Sequence, residues 1–137
     1  MAILGLVGGG NIGLLVLRVF LAVIFFYHGF PKTSRIKGGT HGDGKKKMAL
    51  FMKFIGFIEI ICAILLVLGF LTQAVSIVLI LIMLGAISMK IFSWKIPFST
   101  MSNTGWEFDF MILGATLALA LLGAGNISLD YLFNFYP

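Results

Sequence analysis

Two ionisable residues sit where long apolar runs exclude water: Arg18 within LLVLRVFLAV and Glu59 within FIGFIEIICA. Inside lipid a charged side chain costs about 2.5–3.5 kcal/mol on insertion scales, so each needs a partner or a task. Arg18 lies 13 residues before Pro31, and Glu59 lies 11 after Met48. At 1.5 Å per residue those are depths of roughly 20 and 17 Å from the same side. Matching depth and opposite sign predict an intramembrane ion pair, Arg18–Glu59. Glu59 also shares a helical face with the small residues Gly56 and Ala63, which turns it toward neighbouring helices rather than lipid. Such a pair fixes helix register. Alternatively the carboxyl binds a polar headgroup or passes a proton.

A second polar layer comprises His28, Lys32, Lys90, Trp94, Trp106, Glu107 and Asp109. Part of it has a structural explanation. Thr104-Gly105-Trp106-Glu107 fits the Ser/Thr-x-x-Glu capping box, so Thr104 and Glu107 are expected to satisfy free amides at a helix start. Trp94 and Trp106 suit interfacial anchoring, and Lys90 suits snorkelling. Asp109 lies deeper and shares a face with Thr116 and Ala120, with Lys90 or His28 as available partners. His28 is one turn from the end of its apolar run, where an imidazole donates to a carboxylate, ligates a metal or relays protons. His41 with Asp43 lacks further ligands and is not read as a metal site; Cys62, the single cysteine, reads as packing.

The elements that position these residues follow from hydropathy. Hydrophobic residues make up 60% of the 137 and charged residues 11%, and mean hydropathy is +1.09. So few charges cannot clothe a water-soluble domain. A bilayer core of about 30 Å needs roughly 20 apolar residues, and four stretches qualify, near 12–30, 50–70, 73–92 and 106–124. The expected fold is an all-α integral membrane protein, a single antiparallel bundle of four transmembrane helices spanning 1–137. Residues 31–49 form a polar, glycine-rich loop, the Gly69–Gln73 region a tight hairpin, and 93–105 a second polar loop. The first of these polar loops carries Lys32, Arg35, Lys37, Lys45, Lys46 and Lys47, the second Lys95 with Lys90 at its edge. The positive-inside rule puts both in the cytoplasm and both termini outside the cell membrane. The formal charge of +5 is therefore an orientation signal beside lipid and does not indicate nucleic acid. The N-terminal Gly5, Gly9 and Gly13, four apart, suit either close helix approach or a frayed start. The tail offers Asp130 and the aromatics Tyr131, Phe133, Phe135 and Tyr136 to the interface.

No Cys-x-x-Cys, zinc or haem-ligating histidine pair, phosphate-binding glycine loop or Ser-His-Asp set is present, so no metal, haem or nucleotide is expected. Along nearly its whole length the chain resembles the DoxX family of small four-helix membrane proteins. The residues that carry the likeness are Tyr27-His28-Gly29-Phe30-Pro31-Lys32, Glu59 with Gly69-Phe70-Leu71-Thr72, Gly105-Trp106-Glu107-Phe108-Asp109, and Ile127-Ser128-Leu129-Asp130. Members often carry a histidine late in helix three; here that region reads Met89-Lys90-Ile91-Phe92. The resemblance implies a membrane subunit of a respiratory, quinone-linked oxidoreductase.

Three functions therefore compete. The leading one is an accessory subunit that anchors partner subunits and helps form a quinone site from His28, Glu59, Trp106 and Asp109. The second is a non-catalytic assembly protein that binds other membrane helices, or further copies of itself, through faces such as Gly114 with Ala118. A small transporter using Arg18 and Glu59 ranks third, because four helices enclose a pathway poorly without oligomerisation.

Overall fold

The computed structural model describes residues 6–34, 43–99 and 104–135. Gly5, His41, Tyr136 and most of the first polar loop lie outside them. The chain is an all-helical membrane-spanning bundle: α1 (Leu6–Ser34), α2 (Asp43–Leu68), α3 (Thr72–Ser88) continued by a π-helical turn (Met89–Ser93), α4 (Glu107–Leu122) and the single turn α5 (Leu129–Leu132). Among the described residues, three segments are long and apolar enough to cross a membrane: Gly9–Ser34, Lys46–Leu68 and Thr72–Ser93. The expected fourth span is shorter than its sequence suggests. α4 has 16 residues, about 24 Å of helix, because Trp106 sits outside its first turn and Gly123 ends it at φ +74°.

Each helix turns one stripe inward at three- and four-residue spacing. On α1 it is Arg18, Leu21, Ala22, Phe25 and Gly29; on α2 it is Gly56, Glu59, Cys62, Ala63 and Leu66. Val75, Leu79 and Met83 of α3 meet Ile112 and Leu119 of α4 in the same core. α1 packs chiefly on α2 and α3 chiefly on α4, and these two antiparallel pairs close on each other. The opposite faces carry exposed Phe20, Val23, Phe57, Leu81 and Leu121 toward lipid.

α1 does not stop before Pro31 but runs on to Ser34. The Thr33 hydroxyl donates to the Phe30 carbonyl at 2.8 Å and the Ser34 hydroxyl to that of Pro31 at 3.5 Å. α2 likewise starts at Asp43 rather than near residue 50. The register between these two helices is set by glycine: a Cβ on Gly29 would lie 2.7 Å from the Gly56 carbonyl oxygen, and one on Gly56 2.8 Å from that of Gly29. Backbones approach that closely only where neither residue has a side chain.

In an open helix Gly→Ala stabilises by about 0.8–1 kcal/mol through backbone entropy. At Gly56 overpacking of roughly 1–3 kcal/mol outweighs that gain. Gly56→Ala is thus expected to lower the thermal midpoint in detergent, whereas Gly114→Ala, with nothing within 4 Å of the added carbon, leaves it unchanged or raises it. Equal midpoints for the two variants would show that the close contact does not exist.

Candidate functional site

The polar residues gather at opposite ends of the bundle. At the end holding Lys32 and Lys90, a cavity of about 400 Å³ opens between the α1–α2 pair and the α3–α4 pair. Its walls are mostly apolar, including Ile24, Phe25, Met83, Phe108 and Ile112, and they are interrupted by His28, Lys32, Glu59, Lys90 and Asp109.

These charges form two ion pairs, one in each half of the bundle. Lys32 Nζ donates to both oxygens of the buried Glu59 carboxylate, at 2.7 and 2.8 Å. Lys90 Nζ lies 2.5 Å from Asp109 Oδ2, in a contact without hydrogen-bond alignment, and that oxygen has no aligned donor. Lys90 also donates to the Gly105 carbonyl at 3.5 Å. An ammonium has three protons, so Lys32 keeps one beyond its carboxylate. His28 Nδ1 is 2.8 Å from the Ile24 carbonyl. That contact assigns the ring proton to Nδ1 and leaves Nε2 an acceptor in the neutral imidazole. The His28 ring also packs near Phe108, at a centroid separation of 5.9 Å.

The π-helical turn adds Met89 and Lys90 to the cavity wall, and Trp94 follows it. At the head of α4, Gly105 permits the chain to fold back: a Cβ there would lie 2.0 Å from the Phe98 carbonyl oxygen. That same oxygen accepts from the Glu107 amide at 3.0 Å.

Two sequence expectations are corrected here. Arg18 and Glu59 do not pair. With Gly29 against Gly56, residue 18 lies opposite residue 67, about eight residues or 12 Å from Glu59. Counting depth from Pro31 and Met48 missed this, because both helices run past those residues. The capping box is also absent: Trp106 occupies the N-cap position, with no side-chain cap, and the Phe98 carbonyl takes the place expected of Thr104 and Glu107. Trp106 stacks edge-on with Phe98, at 4.5 Å between centroids, and does not line the cavity. His28, Glu59 and Asp109 do line it. The Lys32–Glu59 partnership was missed from sequence: the glycine register sets Lys32 level with Lys53, and the long lysine side chain spans the offset to Glu59.

Arg18 belongs to the other end. Its side chain is fully buried and donates to the Ile127 carbonyl and, at 3.4 Å, to that of Leu66; Asp130 supplies an opposing charge. Gly69, at φ +63°, makes room, since a Cβ there would fall 1.8 Å from the guanidinium. Asp130 in turn caps α3, accepting from the Leu71 amide at 2.6 Å and the Thr72 amide at 2.9 Å. α3 has no cap of its own, because Leu71 precedes it. The tail thus folds across the bundle end, with Asp130 buried and Tyr131, Phe133 and Phe135 exposed.

A double-mutant cycle tests the pairing. Lys32→Met should cost about 3–5 kcal/mol by leaving Glu59 buried alone, and adding Glu59→Met should restore most of it. Arg18→Met with Glu59→Met should be additive. Additivity in the first cycle and coupling in the second would reverse the assignment.

Compared with known proteins, the chain matches the DoxX family profile over residues 13–94. It is 36% identical over 122 residues to CatD of Bacillus subtilis (strain 168), named as a candidate oxidoreductase, covering 88% of this chain and 86% of that one. It is 31% identical over 124 residues to the inner membrane protein YphA of Escherichia coli (strain K12), covering 85% and 87%. No solved structure matches it.

Proposed function

The chain belongs to the DoxX family, and from that premise we propose that it is a small membrane subunit of a quinone-linked oxidoreductase. In this reading it anchors its partner subunits and holds the quinone headgroup between its two helix pairs. The observation that carries it is the cavity between Lys32–Glu59 and Lys90–Asp109. The naming of CatD as a candidate oxidoreductase points the same way.

A quinone requires an apolar slot and one or two polar groups at its carbonyls, and the residues present fit. Each ammonium is held by a carboxylate, so the site offers cationic N–H donors without net positive charge. It favours a neutral ligand that accepts hydrogen bonds. Lys32, its charge balanced by Glu59, orients one carbonyl; Lys90 orients the other. Asp109 Oδ2, lacking an aligned donor, accepts or returns a proton at that second oxygen, and His28 Nε2 is placed for relay. A bound quinone supplies two-electron, two-proton redox chemistry. The apolar walls exclude water from the headgroup. By the positive-inside rule the cavity lies toward the cytoplasm, so protons exchange with that side.

The assembly reading draws on Gly114, which is exposed on α4 with open space around it and suits close approach by another membrane helix.

Asp109→Asn keeps shape and removes the proton-accepting charge. It should lower quinone-dependent turnover of the purified complex about 10²-fold while assembly is retained. Ala86→Phe, which fills the cavity without touching a charge, should abolish quinone retention. Glu107→Gln, outside the cavity, should leave both unchanged. Normal turnover in all three assembled variants would remove the quinone site and leave the scaffold.

A further inference from the structure

Lys53 is a cation that neither internal network uses. It is exposed on α2, and no described residue pairs with it. It stands six residues from Glu59, about 120° around the helix, on a side that does not line the cavity. Lys46, Leu50, Lys53 and Phe57 follow one another at three- and four-residue intervals and are all exposed, as is Phe54. They form one outward stripe that is basic at one end and aromatic beyond it.

Charge balance sharpens the point. The chain has five acidic residues. Glu59, Asp109 and Asp130 are buried in internal contacts. Residues 35–53 hold six of the ten cations and one acid, Asp43. That end of the bundle therefore carries a positive excess which the chain's own acids cannot neutralise. Depth then identifies the occupant. The glycine register sets Lys53 level with Lys32 of the spanning helix α1, about 10 Å along α2 from Lys46, with Phe54 and Phe57 beside and beyond it. A soluble acidic protein reaches Lys46 and Lys47. A phospholipid reaches Lys46 and Lys53 together, because its phosphate lies where the apolar stripe begins and its chains follow the aromatics.

We propose that this face of α2 is a binding site for an anionic phospholipid, its headgroup held by Lys53 and Lys46 across Leu50 and its acyl chains lying against Phe54 and Phe57. The site is separate from the cavity and does not depend on what the cavity holds.

The test compares the full chain in nanodiscs of phosphatidylcholine with discs containing phosphatidylglycerol, reading the thermal midpoint and, by native mass spectrometry, the lipid retained. The wild type should be stabilised by phosphatidylglycerol and should retain it. Lys53→Gln should weaken that retention about fivefold, the effect of one lysine at a charged membrane surface. Lys46→Gln with Lys53→Gln should abolish the preference, and Lys95→Gln, on the other polar loop, should keep it. Inorganic phosphate added to phosphatidylcholine discs should change nothing. Equal midpoints in both lipids, equal losses in Lys95→Gln and Lys53→Gln, or stabilisation by free phosphate would each overturn the proposal.

Discussion

The charges that α1 and α2 bring into the bundle depend on how these two helices lie against each other, and that is decided by two residues without side chains. Gly29 and Gly56 bring the backbones so close that sliding one helix past the other by a turn would drive side chains into a carbonyl. With the register fixed, Lys32 meets Glu59 and Arg18 meets the Leu66 carbonyl. Buried ion pairs contribute little net stability, since desolvation offsets most of their attraction, but a mispaired one is expensive. The glycines supply position, and the charges penalise any other position.

The two ends of the molecule use polar groups differently. Around Arg18 and Asp130 the acceptors and donors are mostly backbone groups, drawn from Leu66, Leu71, Thr72 and Ile127. Backbone positions vary little, so this end is a fixed closure. At the other end the same kinds of charge pair side chain to side chain across a cavity. Flexible lysine stems can yield there to a guest, and the two pairs belong to different halves of the bundle. That division of labour, an end tied by backbone groups and a yielding one, is what the proposed headgroup site needs.

Much of this was legible in the sequence. Hydropathy located the helices, although it gave the fourth a membrane-spanning length that it lacks, and small neighbours marked the inward face of Glu59, which is fully buried. Face and depth turned Asp109 inward but left its partner open between Lys90 and His28. What sequence missed had a common cause: it depended on partners far along the chain or on helix ends that local signals misplace. Pro31 suggested an end, yet the Thr33 and Ser34 hydroxyls carry α1 further. Thr104 and Glu107 have capping spacing, but the Phe98 carbonyl reaches the amide first. α3 begins at Leu71-Thr72 without a side chain of its own to cap it. That missing cap was the local hint that a residue such as Asp130 must arrive from elsewhere.

The clasp between Arg18 and the tail has a consequence for biogenesis. Arg18 leaves the ribosome 109 residues ahead of its acceptor Ile127, with Asp130 behind that. During synthesis the guanidinium therefore has only the Leu66 carbonyl for company once α2 has emerged, and it must linger near water or the translocon until the tail arrives. The polar contacts of α1 are therefore complete only when the tail has been made. A chain cut short before residue 127 lacks both the Ile127 carbonyl and the Asp130 charge that Arg18 meets at the end of the bundle.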